Sequence, residues 1–159
     1  MATACAHPHD RSGLSGRALK AELKAAEARC VEAEQKMTAP RRRVLELLLE
    51  AGQPVKAYDL IADFGEDGAP AKPPTVYRAL DFLERQGFAH RIASLNAYVA
   101  CRQGPEAHAA AFLICDCCGE TREVEPVGAE RLIELAGRAG YSVNVVTVEA
   151  HGRCAACPA

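Results

Sequence analysis

The chain has 159 residues, of which 49% are hydrophobic and 25% are charged, and its formal net charge is −2. This length suits one ordinary domain or two small ones, and the composition excludes collagen-like, fully disordered and secreted disulfide-rich chains. No apolar run approaches the roughly 18 residues that cross a bilayer, and no export signal is visible, so we expect a cytoplasmic protein without a membrane partner.

Helical patterns dominate the first half of the chain. A polar tail is expected at residues 1–15, and apolar residues at helical spacing follow it. Helices are predicted at about residues 17–34, 38–50, 57–64 and 74–86. Thr38 can cap the second helix with Pro40 in its first turn, and Gly87 stands just past the end of the fourth. These signals indicate a compact helical region.

The periodicity changes after Gly87. Strands are predicted at residues 88–92, 97–101, 110–115, 122–125 and 141–148, with a helix at 127–139. Helices followed by a two-stranded hairpin are in the order of a winged helix, whereas strand–strand–helix–strand describes a small α/β unit. Such a unit of about 50 residues needs a partner chain, a metal or both for stability. The sequence therefore predicts an α+β fold with domains at 16–101 and 110–159, joined by a hinge at 102–109.

Five of the eight cysteines lie in two tight clusters, Cys115-Asp-Cys-Cys118 and Cys154-Ala-Ala-Cys157. A C-x2-C pair lets two thiolates meet one tetrahedral ion, and two pairs make a closed zinc site with no open position for chemistry. Without an export signal, clustered cysteines bind metal more often than they form disulfides. Buried free thiols or a redox pair are the alternatives. Cys117 could substitute for a ligand in the first cluster, but the C-x2-C geometry favours Cys115 and Cys118.

Four other side chains offer metal donors along the predicted hairpin, linker and second strand. They are His90, Cys101, His108 and Glu123. Taken singly, each has an ordinary structural explanation, such as a surface histidine or a buried thiol. As a set they provide two imidazoles, one thiolate and one carboxylate, which balance the charge of Zn²⁺ and complete a tetrahedron. Their spacing alone makes only a weak argument for a site.

Several segments in fixed order carry a family resemblance that covers nearly the whole chain from about residue 20. They are Lys72-Pro-Pro-Thr-Val-Tyr-Arg-Ala-Leu-Asp-Phe-Leu83, Gln86-Gly-Phe-Ala-His90, Asn96-Ala-Tyr-Val-Ala-Cys101, Cys115-Asp-Cys-Cys118-Gly and Glu149-Ala-His-Gly-Arg-Cys-Ala-Ala-Cys157. The chain resembles the ferric uptake regulator superfamily, and within it the zinc uptake regulator branch. One departure is Thr38-Ala-Pro-Arg41, where that family usually has Thr-Pro-Gln-Arg.

The resemblance implies an N-terminal winged helix-turn-helix domain and a C-terminal α/β dimerisation domain. It implies two zinc ions per protomer, a structural ion on the four clustered cysteines and a regulatory ion on the mixed set. The implied function is a zinc-responsive repressor of zinc uptake genes, which binds a palindromic double-stranded DNA operator as a zinc-loaded homodimer. Neither catalysis nor a small organic substrate is expected.

The thiolate of Cys101 favours zinc over iron or manganese, which prefer oxygen and imidazole donors. An iron, manganese or peroxide sensor of the same superfamily is the main alternative, and a zinc-stabilised dimerisation module without DNA binding is another. A metalloenzyme or thiol oxidoreductase lacks support because both metal sites are filled by protein ligands.

The helix predicted at 74–86 is the recognition helix of this scheme. In it Arg78 is the candidate for a bidentate guanine contact, with Tyr77 against a thymine methyl group or a phosphate. Phosphate contacts are expected from Tyr58, Lys72 and Thr75. A buried core tyrosine is the alternative for Tyr77, and Arg41–Arg43 are either phosphate ligands or solvated side chains.

Overall fold

A computed structural model describes residues 13–65, 67–102 and 109–157. The chain divides into two compact units, an N-terminal unit within residues 11–105 and a C-terminal unit from residue 106 onwards. The predicted tail at 1–15 and hinge at 102–109 lie largely outside the described residues, so these domain boundaries stay predictions. None of the helices in the described ranges is long and apolar enough to cross a bilayer.

The N-terminal unit combines helices with a small antiparallel sheet. Its described elements are α1 (Gly16–Glu32), α2 (Ala39–Ala51), β1 (Val55–Lys56), α3 (Ala57–Ala62), α4 (Pro73–Arg85), β2 (Ala89–Ile92) and β3 (Ala97–Ala100). The strand order is β1-β3-β2, with antiparallel pairing throughout. This is the winged-helix arrangement that the sequence predicts.

Local sequence signals bound α2 largely as expected. Pro40 stands in the first turn, and Gly52 ends the helix in a left-handed conformation (φ 60°) that donates its N–H to Leu48 O at 3.2 Å. Thr38 occupies the N-cap position, but its side chain makes no capping hydrogen bond. The prediction of a threonine cap was therefore right in position and wrong in its contact.

The core of this unit is mainly aliphatic and is shared by all four helices. In α4 the side chains of Val76, Leu80 and Leu83 are fully buried, while Tyr77 and Arg78 are exposed. Full burial of such an aliphatic side chain contributes about 1.5–3 kcal/mol. The buried face of α4 thus anchors the helix to the core and leaves its other face available for contacts.

The two-residue strand β1 was not predicted. Val55 pairs with Tyr98 and Lys56 with Ala97, which makes β3 the central strand of the sheet. A strand this short has no periodicity of its own, and it exists only because β3 offers an open edge. The predicted two-stranded hairpin is therefore a three-stranded sheet.

The C-terminal unit is built around a second three-stranded sheet. Its described elements are β4 (Ala109–Cys115), β5 (Thr121–Val124), α5 (Ala129–Arg138) and β6 (Val146–Gly152). The strand order is β5-β4-β6, in which β4 runs antiparallel to β5 and parallel to β6. Phe112 on the central strand is almost fully buried. Along the chain, the elements follow the predicted order of strand, strand, helix and strand.

The last strand lies further along the chain than predicted. The β-branched segment 141–148 suggested a strand, but β6 begins at Val146 and ends at Gly152. Val146 is the first residue in register with β4, where it faces Ala109. Residues 141–145 are exposed and gain no ladder partner, whereas the less apolar residues 149–152 complete the hydrogen bonds of β4. Strand pairing therefore overrode local propensity.

Candidate metal centres and nucleic-acid interface

The parallel pairing of β4 and β6 brings the two C-x2-C segments together. Cys115 is the last residue of β4 and lies in register with Gly152, the last residue of β6. The N–H of Asp116 then donates to Gly152 O at 2.8 Å. Gly119, with φ 76°, closes the first turn by donating to Cys115 O at 2.8 Å. Both cysteine turns therefore start from the same end of the sheet.

The four sulfur atoms form one cluster. The Sγ atoms all lie within 4.8 Å of one another, and they belong to Cys115, Cys118, Cys154 and Cys157. The Cys115–Cys157 and Cys118–Cys154 pairs are each separated by 3.7 Å, and the Cys154–Cys157 pair by 3.5 Å. A tetrahedral zinc with Zn–S bonds of about 2.3 Å requires S···S separations of about 3.8 Å. These residues therefore fit a structural zinc ion, and Cys117 lies outside the set.

Backbone N–H groups favour the ionised form of Cys115. The N–H of Cys154 donates to the Sγ atom of Cys115 at 3.3 Å. The backbone N–H groups of Cys118 and Cys117 also stabilise the Cys115 thiolate. Together they lower the pKa of the Cys115 thiol to about 6. The thiolate is the form that binds a metal, so this cysteine is prepared for coordination at neutral pH.

His90 and Cys101 meet on the sheet of the N-terminal unit. His90 on β2 pairs with Val99 on β3. Cys101 comes two residues after Val99, so its side chain lies on the same face of the sheet as His90. A ring nitrogen of His90 and the Sγ atom of Cys101 lie within 4.8 Å of each other. His90 is buried, with 7% of its surface exposed, and the Cys101 thiol is half-buried. This pair can supply one nitrogen and one sulfur donor to a metal.

The other two predicted members of this set belong to the C-terminal half. Glu123 is half-buried on β5, where it faces Phe112 on β4. His108 lies outside the described residues. The four-residue ligand set therefore stays a prediction. Within the N-terminal unit, the structure describes its His90–Cys101 pair.

The predicted nucleic-acid contacts lie on an exposed surface of the helix-turn-helix region. Tyr58 on α3 is 78% exposed and Tyr77 on α4 is 49% exposed, so the alternative of a core tyrosine is excluded for Tyr77. Arg78 is also exposed on α4, while Lys72 is the exposed N-cap residue and Thr75 is half-buried in the first turn. Two aromatic and two cationic side chains of α3 and α4 are thus exposed to a partner.

The arginine run that opens α2 has protein partners. Arg42 pairs with Glu27 of α1 at 2.8 Å, and Arg43 pairs with Glu46 at 2.9 Å. The Arg41 guanidinium lies 3.6 Å from the centroid of the Phe82 ring. Arg41 and Arg42 therefore hold α2 to neighbouring helices through a cation–π contact and an ion pair, while the Arg43–Glu46 pair lies within α2. These arginines are thus not simply solvated, and phosphate contacts from this run stay a prediction.

Asp116 and His151 form a pair beside the cysteine cluster that the sequence did not predict. His151 Nδ1 lies 3.0 Å from Asp116 Oδ1, and its Nε2 lies 3.7 Å from Glu149 Oε2. The hydrogen bond to Asp116 raises the pKa of His151 above its usual value. These residues are 35 positions apart, so only strand pairing could reveal the contact.

Comparison with known proteins identifies the family. The ferric uptake regulator family matches residues 32–151, which is most of the chain. The zinc uptake regulation protein of Escherichia coli (strain K12) is 42% identical over 137 residues, which cover 85% of this chain and 80% of that protein. The corresponding protein of Shigella flexneri is equally similar. The chain therefore belongs to the ferric uptake regulator family.

Solved structures of similar proteins share the fold. A zinc uptake regulator complexed with zinc and DNA is 40% identical and superposes with a TM-score of 0.78, covering 89% of this chain and 96% of that one. The crystal structure of holo XcZur is also 40% identical, with a TM-score of 0.72 over 85% of this chain and 95% of that one. These likenesses confirm the winged helix and the sheet-containing C-terminal unit.

Proposed function

We propose that this chain is a zinc-responsive, DNA-binding repressor of zinc uptake genes, and that it acts as a homodimer in the cytoplasm. The proposal depends chiefly on the thiol of Cys101 beside buried His90 on the sheet that follows the recognition helix. The relatives named for zinc uptake regulation, and a relative solved with zinc and DNA, support the same function.

The two donor sets support a proposal of two zinc ions per protomer. The cysteine cluster, with its S···S separations of 3.5–3.7 Å, would hold a structural ion whose coordination is closed. His90, Cys101, His108 and Glu123 would hold the regulatory ion. When bound, that ion would cross-link its ligands. A site filled by four protein ligands leaves no position for substrate, so we assign regulation and no catalysis.

The hairpin donors give the regulatory site its metal preference. A thiolate is a soft ligand that suits zinc better than iron or manganese, while imidazole accepts all three. A sensor of iron, manganese or peroxide is expected to use oxygen and nitrogen donors in a site of higher coordination. Cys101 therefore favours the zinc sensor over the other regulators of this family.

Control of DNA binding would come from ligands in both halves of the chain. His90 and Cys101 belong to the DNA-binding unit, whereas Glu123 belongs to the C-terminal unit. Ligands that share one ion across the hinge would restrain these units and raise the population of the DNA-binding arrangement. Coupling of this kind is typically about 1–3 kcal/mol and is reciprocal, so operator DNA should also tighten zinc binding.

A face on the C-terminal unit supports the homodimer. Leu132, Ile133 and Leu135 on α5 are 40–52% exposed, and such a concentration of apolar side chains is typical of dimer interfaces. In the described residues β6 has β4 as its only sheet neighbour, so its other edge is open to a second copy. A two-fold dimer would place two recognition helices on half-sites about one helical turn apart.

The test is a DNA-binding titration with the full-length protein whose cysteine cluster is already loaded with zinc. Binding to a labelled operator fragment is measured against free zinc and then against iron(II) and manganese(II). We expect zinc to promote binding at far lower free concentrations than the other two metals. Binding that is independent of all three metals, or promoted best by iron, would contradict the proposal.

A further inference from the structure

One arginine connects α1 to the chain that carries the hairpin donors. Arg29, in the last turn of α1, places its guanidinium 4.3 Å from the centroid of the Phe88 ring. Its Nη2 also donates to the carbonyl of Gln86 at 3.3 Å. Gln86 is the C-cap of α4, where helix carbonyls lack intrahelical partners. The arginine therefore holds the junction between α4 and β2 from outside both elements.

Phe88 is in turn bonded to the backbone of a proposed zinc ligand. Its carbonyl accepts the N–H of Cys101 at 2.9 Å, and its own N–H donates to Leu83 O at 2.8 Å. The Phe88 ring is buried, with 5% of its surface exposed. His90 follows two residues later on the same strand. A shift of Phe88 would therefore move the backbone of both donors.

A cavity beside these residues leaves room for such a shift. Arg29, Phe88 and Cys101 line it together with residues of α1 and α2, and its volume is about 210 Å³. Without the guanidinium on one side, the Phe88 ring would face this space instead of a packed neighbour.

We propose that Arg29 is a positioning residue for the regulatory zinc site: by clamping Phe88 and Gln86 it holds the His90 and Cys101 donors at metal-binding separation. The inference depends on the proposed function, since it needs zinc at this pair. Outer groups that orient metal ligands typically change metal affinity 10–100-fold when removed, and we expect the lower end of this range.

The experiment uses the full-length protein with its cysteine cluster loaded with zinc. The variants are Arg29→Gln, which removes the cation and the fork of donors, and Arg29→Lys, which keeps the cation. Arg41→Gln is the matched control, because it removes an equivalent guanidinium–ring contact, 3.6 Å from Phe82, in the same unit. Cobalt(II) titration reports sulfur coordination through its thiolate charge-transfer band, competition with a chelator gives zinc affinity, and thermal unfolding reports stability.

We expect Arg29→Gln to weaken zinc at the regulatory site about tenfold and to reduce the cobalt–thiolate band, with Arg29→Lys restoring part of both. Arg41→Gln should lower thermal stability while leaving zinc affinity unchanged. Equal losses of affinity in Arg29→Gln and Arg41→Gln, or no loss in Arg29→Gln, would overturn the positioning role.

A Cys101→Ser variant separates failure of this inference from failure of the proposed function. If the wild type binds a second metal that Cys101→Ser loses, while Arg29→Gln keeps full affinity, only the role of Arg29 is wrong. If the wild type binds no second metal, or Cys101→Ser keeps it with the same spectrum, the regulatory site itself is wrong.

Discussion

Cys115 and Cys157 lie at opposite ends of the C-terminal unit's sequence, yet their sulfur atoms are 3.7 Å apart. The contact exists because β6 runs parallel to β4 and delivers the end of the chain to the start of the first cysteine turn. A metal at this point would close a loop that contains most of the unit. The small sheet would therefore depend on the cluster for its stability.

Loss of one clustered cysteine should remove the structural zinc and unfold the C-terminal unit. We expect Cys154→Ser to abolish bound zinc at this site and to dissociate the dimer, since structural zinc binding is worth about 10–16 kcal/mol. Metal content by elemental analysis and mass by light scattering measure both effects. Cys117→Ser is the control and should keep zinc. Zinc loss in Cys117→Ser with retention in Cys154→Ser would contradict the ligand assignment.

Replacement of Cys101 should affect the zinc response much more than the fold. We expect Cys101→Asp or Cys101→His to raise the free zinc needed for operator binding at least about tenfold, because a soft donor is lost. Fluorescence anisotropy with buffered zinc measures this. Cys30→Ala, which opens a small space in the buried core, should lower stability by about 1 kcal/mol without changing the response. An unchanged zinc response in the Cys101 variants would remove this cysteine from the site.

Arg78 should carry base recognition by α4. We expect Arg78→Ala to weaken operator binding by about 1–3 kcal/mol and to relax discrimination at one base pair, with intact dimers. Lys72→Ala should weaken binding to all DNA sequences. It should also reduce the slope of log binding constant against log salt concentration by about one. Arg131→Ala, which removes a surface pair with Glu134 on α5, is the control. Full operator affinity in Arg78→Ala would favour a dimerisation module without DNA binding.

Protonation of His151 should depend on Asp116. The hydrogen bond to Asp116 raises the pKa of His151, so the ion pair is fully present below the ordinary value of about 6.5 and disappears as pH rises through the raised pKa. NMR titration of the imidazole should give a lower midpoint in Asp116→Asn than in the wild type. Glu149→Gln should lower the midpoint less, because its contact is longer. Identical midpoints in all three proteins would show that the pair does not form.

The apolar face of α5 should be an interface between two copies. Leu132, which is 52% exposed, would be buried there, so we expect Leu132→Glu to convert the dimer to a monomer. Sedimentation velocity measures the change. Glu130→Gln, at an exposed position in the first turn of the same helix, should leave the dimer intact. A Leu132→Glu protein that sediments as the wild-type dimer would exclude this face.

The sequence predicted much of the fold because its signals are local. Helical spacing, together with Pro40 and Gly52, predicted the ends of α2 to within two residues. The C-x2-C spacing pointed to the four cysteines whose sulfur atoms cluster. The family resemblance predicted the N-terminal winged helix and the C-terminal α/β unit in the order that the structure shows. Each of these features depends on residues a few positions apart, where backbone geometry links sequence directly to structure.

Other features needed the tertiary structure because their partners are distant in sequence. β1 exists only beside β3, β6 takes its bounds from the register with β4, and Arg42 finds Glu27 on another helix. The clamp of Arg29 on Phe88 likewise joins residues 59 positions apart, through a contact between a cation and a ring that no local pattern encodes. Ladder hydrogen bonds and guanidinium contacts depend on which surfaces the core brings together, and that is decided only when the whole chain has packed.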